Sequence, residues 1–398
     1  MELVSVRIGR APSASSRVRL VGDVVYDDRP GQIEQYWFEV PESYADSLRL
    51  SGNPWLASLL PLAVTLRQPL RIQAPVDPFL LENVPRLMRT WCDWYHERFP
   101  WIGPVAVEAP SKATEPGPDP RDSAAFFSGG IDSFYMILRN PGIQRLLCVR
   151  GFDIPLQVPE EFERLRARLD AAARGLGKEL VDVATNLRET RFREASWGYL
   201  AHGCALASVA LVLETRLGEV RIAGTHYDGP LKPWGSQPET DPLLSTSLTR
   251  IFHEDACVPR SLKTELVSRS DVALRSLHVC YRINSSENCG DCMKCLLTML
   301  NLEVLGALPR CTTFPKLDLE RVKRAYVHSS PYQRLYRELA GRARAAERTD
   351  VADAIDEALR RSRKLQRWMA ALEWLGTKRG IWRIARRLRR RALADSPR

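Results

Sequence analysis

Val4, Val6 and Ile8 alternate with other residues in the period of a strand that buries one face. Val18, Leu20, Val24 and Tyr26 extend the pattern, Ile33 to Val40 predicts a further strand ending at Pro41, and Leu66 to Ile72 adds another. The period then changes. Leu80, Val84, Leu87, Met88, Trp91, Trp94 and Tyr95 recur at helical spacing, an aromatic stripe that reads as core rather than as a ligand box. Residues 1–107 therefore predict a small β-rich N-terminal domain with a packed helix. Residues 108–122 hold four prolines and almost nothing apolar, which predicts a semi-rigid, solvated linker.

From Ser123 the texture alternates. Ala124–Phe127, Arg145–Gly151, Leu180–Ala184 and Val220–Gly224 read as buried strands, Glu160–Gly175 as an amphipathic helix and Ser196–Leu217 as a long helix of small residues. Strands separated by helices predict right-handed βαβ units, hence an α/β fold whose parallel sheet is covered on both faces. Ligands of such sheets sit beyond the carboxyl ends of the strands. After Pro315 the pattern is helical: Pro331 breaks one helix, Ile355, Leu359, Trp368, Met369, Leu372 and Leu375 suggest another, and Ile381 to Leu393 closes among arginines. The expected domains are thus 1–107, a linker at 108–122, an α/β domain at 123–312 and a helical extension at 313–398.

Composition narrows the class. At 398 residues, 44% hydrophobic and 27% charged, the chain has the balance of an ordinary globular protein with two or three domains. Nothing approaches the roughly 18 apolar residues of a membrane span, and Met-Glu-Leu-Val-Ser-Val-Arg has no apolar signal core, so a cytoplasmic location is expected. The net charge of +10 is concentrated: Arg360–Arg391 carries 13 Lys and Arg against Glu373 alone, or +12, which leaves about −2 elsewhere. Trp368, Trp374 and Trp382 sit in that stretch. Such a helix could lie on an anionic membrane, contact RNA phosphates, or pack its tryptophan face on the body of the protein.

Cys280, Cys289, Cys292 and Cys295 follow the spacing C-x8-C-x2-C-x2-C, with Gly290 in the tight turn. Four thiols so placed can close a tetrahedral zinc site, and an iron–sulfur cluster is the competing occupant. Cys92, Cys148, Cys204, Cys257 and Cys311 read as small buried hydrophobes.

Between the strand at Ala124–Phe127 and a helix beginning near Asp132 stands Ser128-Gly129-Gly130-Ile131-Asp132-Ser133. Glycines let the backbone approach a ligand, consecutive N–H groups form an anion-binding nest, and the helix adds its positive dipole end. The stretch reads as a pyrophosphate cradle, or else as an ordinary βα turn with an Asp cap.

Ser-Gly-Gly-x-Asp-Ser resembles the signature of the PP-loop ATP pyrophosphatases. Joined to the downstream C-x8-C-G-x-C-x2-C, it is similar to the 7-cyano-7-deazaguanine synthases of that superfamily. Ser261-Leu-Lys263-Thr-Glu-Leu-Val also resembles their Lys-x-Glu-Ile helix, and Gly224, Asp228, Gly235, Pro238 and Asp241 loosely resemble their Gly, Asp and Gly-x-Pro-Asp segment. The likeness covers roughly residues 123–310.

The resemblance implies a Rossmann-like sheet of the adenine-nucleotide hydrolase type and ATP chemistry that releases pyrophosphate. Ser128, Gly129, Gly130, Ile131, Asp132 and Ser133 would bind ATP, with Asp132 holding Mg2+ or orienting a phosphate. A substrate carboxylate would be adenylated for amide or nitrile formation. Lys263 would meet the pyrophosphate or adenylate, unless it is a solvated helix-surface lysine. His226, Asp228, Trp234, Ser236 and Asp241, after a strand's carboxyl end, are the substrate-side candidates. The N-terminal domain, the basic tail and the Trp234-Gly-Ser-Gln-Pro-Glu-Thr-Asp stretch depart from the synthases, so the expected acceptor is another small-molecule, peptide or protein carboxylate. Sulfur transfer onto RNA and a non-catalytic ATP-binding module are the alternatives.

Overall fold

The computed structural model describes residues 1–12, 16–117, 120–225, 233–282, 284–328 and 330–379, the side chains of 330, 331 and 372–379 excepted. β1 (Glu2–Arg10), β2 (Arg17–Tyr26) and β3 (Arg29–Pro41) form an antiparallel meander, and every second side chain of β2 is buried. α1 (Asn53–Leu66) follows, an element the hydrophobic pattern does not announce. Every residue from Asn53 to Val64 is buried, so no polar face marks a helical period. β4 (Leu70–Ile72) leads to α2 (Pro78–Tyr95), which buries the expected stripe of Leu80, Val84, Leu87, Met88, Trp91 and Tyr95. Asp77 caps α2, its Oδ1 accepting the Phe79 N–H at 2.9 Å. β5 (Val107–Glu108) closes this region.

The alternating part contains β6 (Asp122–Phe126), α3 (Ile131–Arg139), β7 (Arg145–Arg150), α4 (Pro159–Gly175) and β8 (Glu179–Thr185). Then come α5 (His202–Val212), β9 (Leu217–Ala223) and β10 (Arg250–Glu254). The long helix expected over Ser196–Leu217 is shorter: Trp197–Ala201 is a π-helical turn, α5 ends at Val212, and Leu217 already belongs to β9.

The ten strands among the described residues make one sheet, in the order β10-β9-β6-β7-β8-β3-β2-β1-β4-β5. Most pairings are parallel, with antiparallel ones only at β1–β2, β2–β3 and β3–β8. Chain order reverses at β6, which has β7 on one side and β9 on the other.

The N-terminal strands thus run on into the same sheet across the boundary expected at 107. Phe38 and Glu39 of β3 pair antiparallel with Thr185 and Ala184 of β8. Side chains reinforce the join. Asn186 accepts the Trp37 N–H and donates to the Gln35 carbonyl, both at 2.8 Å, while Arg17 bridges buried Glu39 (2.8 Å) and Asp182 (2.7 Å). Phe38 is also in tilted contact with Trp55 of α1 at 5.3 Å, a geometry worth about 0.5–1.5 kcal/mol beyond the area it buries.

The described residues of the stretch 108–122 are exposed or half-buried, as expected of a solvated segment, and hydrogen bonds tie it to the fold at several points. Val76 donates to the Pro110 carbonyl at 2.8 Å, Lys112 donates to the Val76 carbonyl at 2.9 Å, and the Thr114 hydroxyl donates to Glu214 at 2.8 Å. At its far end the Asp122 N–H donates to the Arg216 carbonyl at 2.7 Å.

Contacts divide the described residues into two compact units. One holds those up to Val258 except Gly129–Ile131; the other joins Gly129–Ile131 with the chain from Pro259 onward. The second unit is helical: α6 (Arg260–Val267), α7 (Asp271–Leu274), α8 (Met293–Val304), α9 (Leu319–Arg324), α10 (Ser330–Ala345) and α11 (Thr349–Arg379). Leu296 and Leu300 of α8 pack with Val322, Tyr336, Leu339, Ile355 and Leu359. The tail from residue 380, including Trp382, lies outside the described residues, as does the side chain of Trp374. Trp368 is 43% exposed rather than packed away. No helix among the described residues is long and apolar enough to cross a membrane.

Candidate functional site

Two groups of predicted residues acquire a definite geometry. The first is the Ser128–Ser133 turn. The Phe127 N–H donates to the Leu147 carbonyl at 2.8 Å, which fixes where β6 ends. Phe127 and Phe134 meet edge to face at 4.9 Å and bracket the turn from both sides in sequence. Ser128 is exposed; Gly129 is buried at φ 79°, a conformation that favours glycine because a Cβ would crowd the following carbonyl. Ile131 is fully buried and opens α3, with Asp132 in its first turn and Ser133 buried just behind. The Gly129 carbonyl accepts the His278 N–H at 2.8 Å. An acidic residue in a first helical turn complements the dipole, while nearby amides suit a phosphate.

The second is the cysteine knuckle. The Sγ atoms of Cys280, Cys289, Cys292 and Cys295 all lie within 4.8 Å of one another. Cys292 caps α8, its sulfur accepting the Cys295 N–H at 3.5 Å, and Cys289 Sγ accepts the N–H groups of Asp291 (3.4 Å) and Cys292 (3.2 Å). Gly290 stands at φ 68°, and a Cβ there would come 2.3 Å from Cγ of Pro315, so only glycine allows the turn. Asn288 is the brace: its Oδ1 accepts the N–H groups of Val279 (2.9 Å) and Cys280 (3.2 Å), and its Nδ2 donates to the carbonyls of Leu277 (2.9 Å) and Thr313 (3.1 Å). Hydrogen bonds from the thiols of Cys292 and Cys295 hold the Cys280 thiol far below the usual range, and Cys280 in turn pushes Cys292 up to about 12. Such a donor set fits zinc held by thiolates, and loading it would expel the protons that the remaining sulfurs keep.

The other predicted residues fall as follows. Lys263 is completely buried in α6, which overturns its reading as a solvated surface lysine. A lysine is buried almost only where its ammonium is met by a partner. Asp241 is completely buried as well. Its Oδ2 accepts the Ser236 hydroxyl at 2.6 Å and faces His253 Nδ1 at 2.8 Å, and its Oδ1 accepts the Gln237 N–H at 3.3 Å. Trp234 is 40% exposed, with its ring 5.8 Å from that of Tyr199. His226 and Asp228 lie outside the described residues. Cys257 is exposed, against the expectation of a buried thiol, whereas Cys148, Cys204 and Cys311 are buried.

Sequence reasoning missed His253, His278 and Asn288. Asn288 stood next to Cys289, and an amide beside a cysteine knuckle is the type of residue that satisfies a tight turn; His253 and His278 gave no such signal. No family model, curated protein or solved structure matches this chain.

Proposed function

We propose that the chain is an ATP-consuming enzyme of the PP-loop type that adenylates a carboxylate and releases pyrophosphate. The observation that carries the reading is the turn itself: a Ser-Gly-Gly bend with left-handed Gly129, between the end of β6 and the start of α3, where strand order reverses. Doubly wound Rossmann-like sheets take their ligands beyond the carboxyl ends of the strands at such a reversal. The amides from Gly129 to Ser133 and the Ser128 and Ser133 hydroxyls would hold the β and γ phosphates, and Asp132 would hold Mg2+, which neutralises phosphate charge when bound. Lys263, buried in α6, is the residue that the resemblance to the Lys-x-Glu-Ile helix would assign to the pyrophosphate or the adenylate.

In the reaction, a carboxylate oxygen attacks the α-phosphorus and the bond to the bridging oxygen breaks, so that pyrophosphate leaves with the electron pair. An amine or ammonia then displaces AMP from the acyl-adenylate and loses a proton, giving an amide; where ammonia is the donor, adenylation of the amide oxygen with release of a second pyrophosphate, then loss of AMP and of both protons on nitrogen, would give a nitrile. Positioning and electrostatic stabilisation supply most of the acceleration in phosphoryl chemistry of this sort. The acceptor is a small-molecule, peptide or protein carboxylate. Four cysteines gathered about one point favour a metal-holding role over the free attacking thiol that sulfur transfer onto RNA requires.

Exchange of labelled pyrophosphate into ATP, dependent on an added carboxylate, tests the proposal, with mass spectrometry of the acceptor to identify amide or nitrile. Asp132→Ala is expected to lower exchange by about 100-fold or more, the scale of losing one preorganised electrostatic partner. Hydrolysis to ADP alone, or no nucleotide turnover with any carboxylate, would overturn it.

A further inference from the structure

We infer that the cysteine centre sets the orientation of the phosphate-binding turn, with His278 as the positioning residue that connects them. The inference rests on the reading of Ser128–Ser133 given above. His278 lies two residues before Cys280, in a stretch that is neither helix nor strand. What holds that stretch is Asn288, beside Cys289, through its bonds to Leu277, Val279 and Cys280. His278 itself is buried, its imidazole Nε2 lying 3.1 Å from the Ser285 carbonyl, and its N–H is spent on Gly129. Gly129–Ile131 and the knuckle belong to the same compact unit.

The peptide bond converts this contact into aim. The carbonyl of Gly129 and the N–H of Gly130 share one rigid plane and point in opposite directions. Directing that carbonyl at His278 therefore directs the Gly130 N–H the other way, and a left-handed Gly129 gives the backbone little steric reason to stay there unaided. A metal drawing four sulfurs together fixes Cys280 and Cys289, hence Asn288, hence His278, hence the plane after Gly129. Without it, only weak sulfur hydrogen bonds hold the four thiols together, and the plane is released as they move apart. His278 is thus not a catalytic residue; it acts through the backbone of Gly129.

The test uses the full chain. Hydrogen exchange of a peptide spanning Phe127–Ser133 is compared in zinc-loaded protein, in protein stripped by a thiol-competing chelator, and after Zn2+ is returned. Binding of inorganic pyrophosphate is measured by calorimetry on the same samples. Stripping is expected to raise exchange in that peptide about fivefold and to weaken pyrophosphate by a similar factor, the worth of one ordinary internal hydrogen bond. Returning Zn2+ restores both. Asn288→Ala, with zinc bound, is expected to raise exchange there while β2 and β7 peptides stay protected. Unchanged exchange in the stripped protein overturns the coupling, and so does opening of β2 and β7 together with the turn, since the metal would then be only a folding requirement. Loss of pyrophosphate binding in the loaded wild type would sink the nucleotide reading instead, while the exchange result still decides the coupling.

Discussion

The Ser128–Ser133 turn and the Cys280–Cys295 knuckle are made of opposite materials. The turn is mostly backbone: its geometry depends on what Gly129 lacks, and most of the groups it could offer a ligand are amides. The knuckle is made of side chains, four sulfurs within 4.8 Å, and the backbone around it serves to bring them together. A site of the first kind fails when its conformation changes, even where every side chain at hand is kept. A site of the second kind fails as soon as one donor atom is lost.

The largest expected effect separates the two directly. Cys292→Ser removes a sulfur while its hydroxyl can still accept the Cys295 N–H and cap α8, so stoichiometric zinc should be lost and the unfolding transition of the helical unit should move to lower denaturant through the metal alone. Metal analysis and chemical denaturation measure this. Retention of one tightly bound zinc would show that the cluster is not closed by four thiolates.

A matched pair of glycine substitutions comes next. Gly129→Ala imposes a left-handed conformation on an alanine, at about 1–2 kcal/mol, and should weaken pyrophosphate while leaving zinc in place. Gly290→Ala adds to the same penalty a collision with Pro315, and should weaken zinc more than Gly129→Ala does. Equal effects of the two on both ligands would erase the contrast.

The smallest effect belongs to a buried network outside both sites. Glu214 accepts hydrogen bonds from Asn53 (2.9 Å), Thr114 (2.8 Å) and Thr246 (3.2 Å), yet burial outweighs them and raises its carboxyl above the ordinary value. The unfolded chain therefore releases this proton first. The stability contribution is full below the ordinary carboxylate range and is lost as pH rises through the raised value. Glu214→Gln should flatten that part of the stability profile, measured by denaturant unfolding at mildly acidic and neutral pH, without altering zinc content.

The same contrast governs how much was legible in the chain. Cysteines declare themselves by type and spacing, so the knuckle could be read outright. The glycine turn could be read only with its flanking strand and helix. The tie from His278 to Gly129 was invisible, because both partners are backbone atoms and neither residue's identity bears on the bond. α1 escaped notice for want of a polar face. The pairing of Phe38 with Thr185 escaped because local pattern carries no information about which distant strand will lie alongside. Asp241 looked like a loop carboxylate open to substrate; its burial depends on His253 and Ser236 closing over it.

The antiparallel join between β3 and β8 has a practical corollary. A fragment starting at Asp122 would leave the outer side of β8 without the backbone partners that Phe38 and Glu39 supply, and bare strand edges recruit other chains. Transplanting the parallel half into a new protein would therefore mean carrying the meander with it, or engineering a substitute cover for that flank.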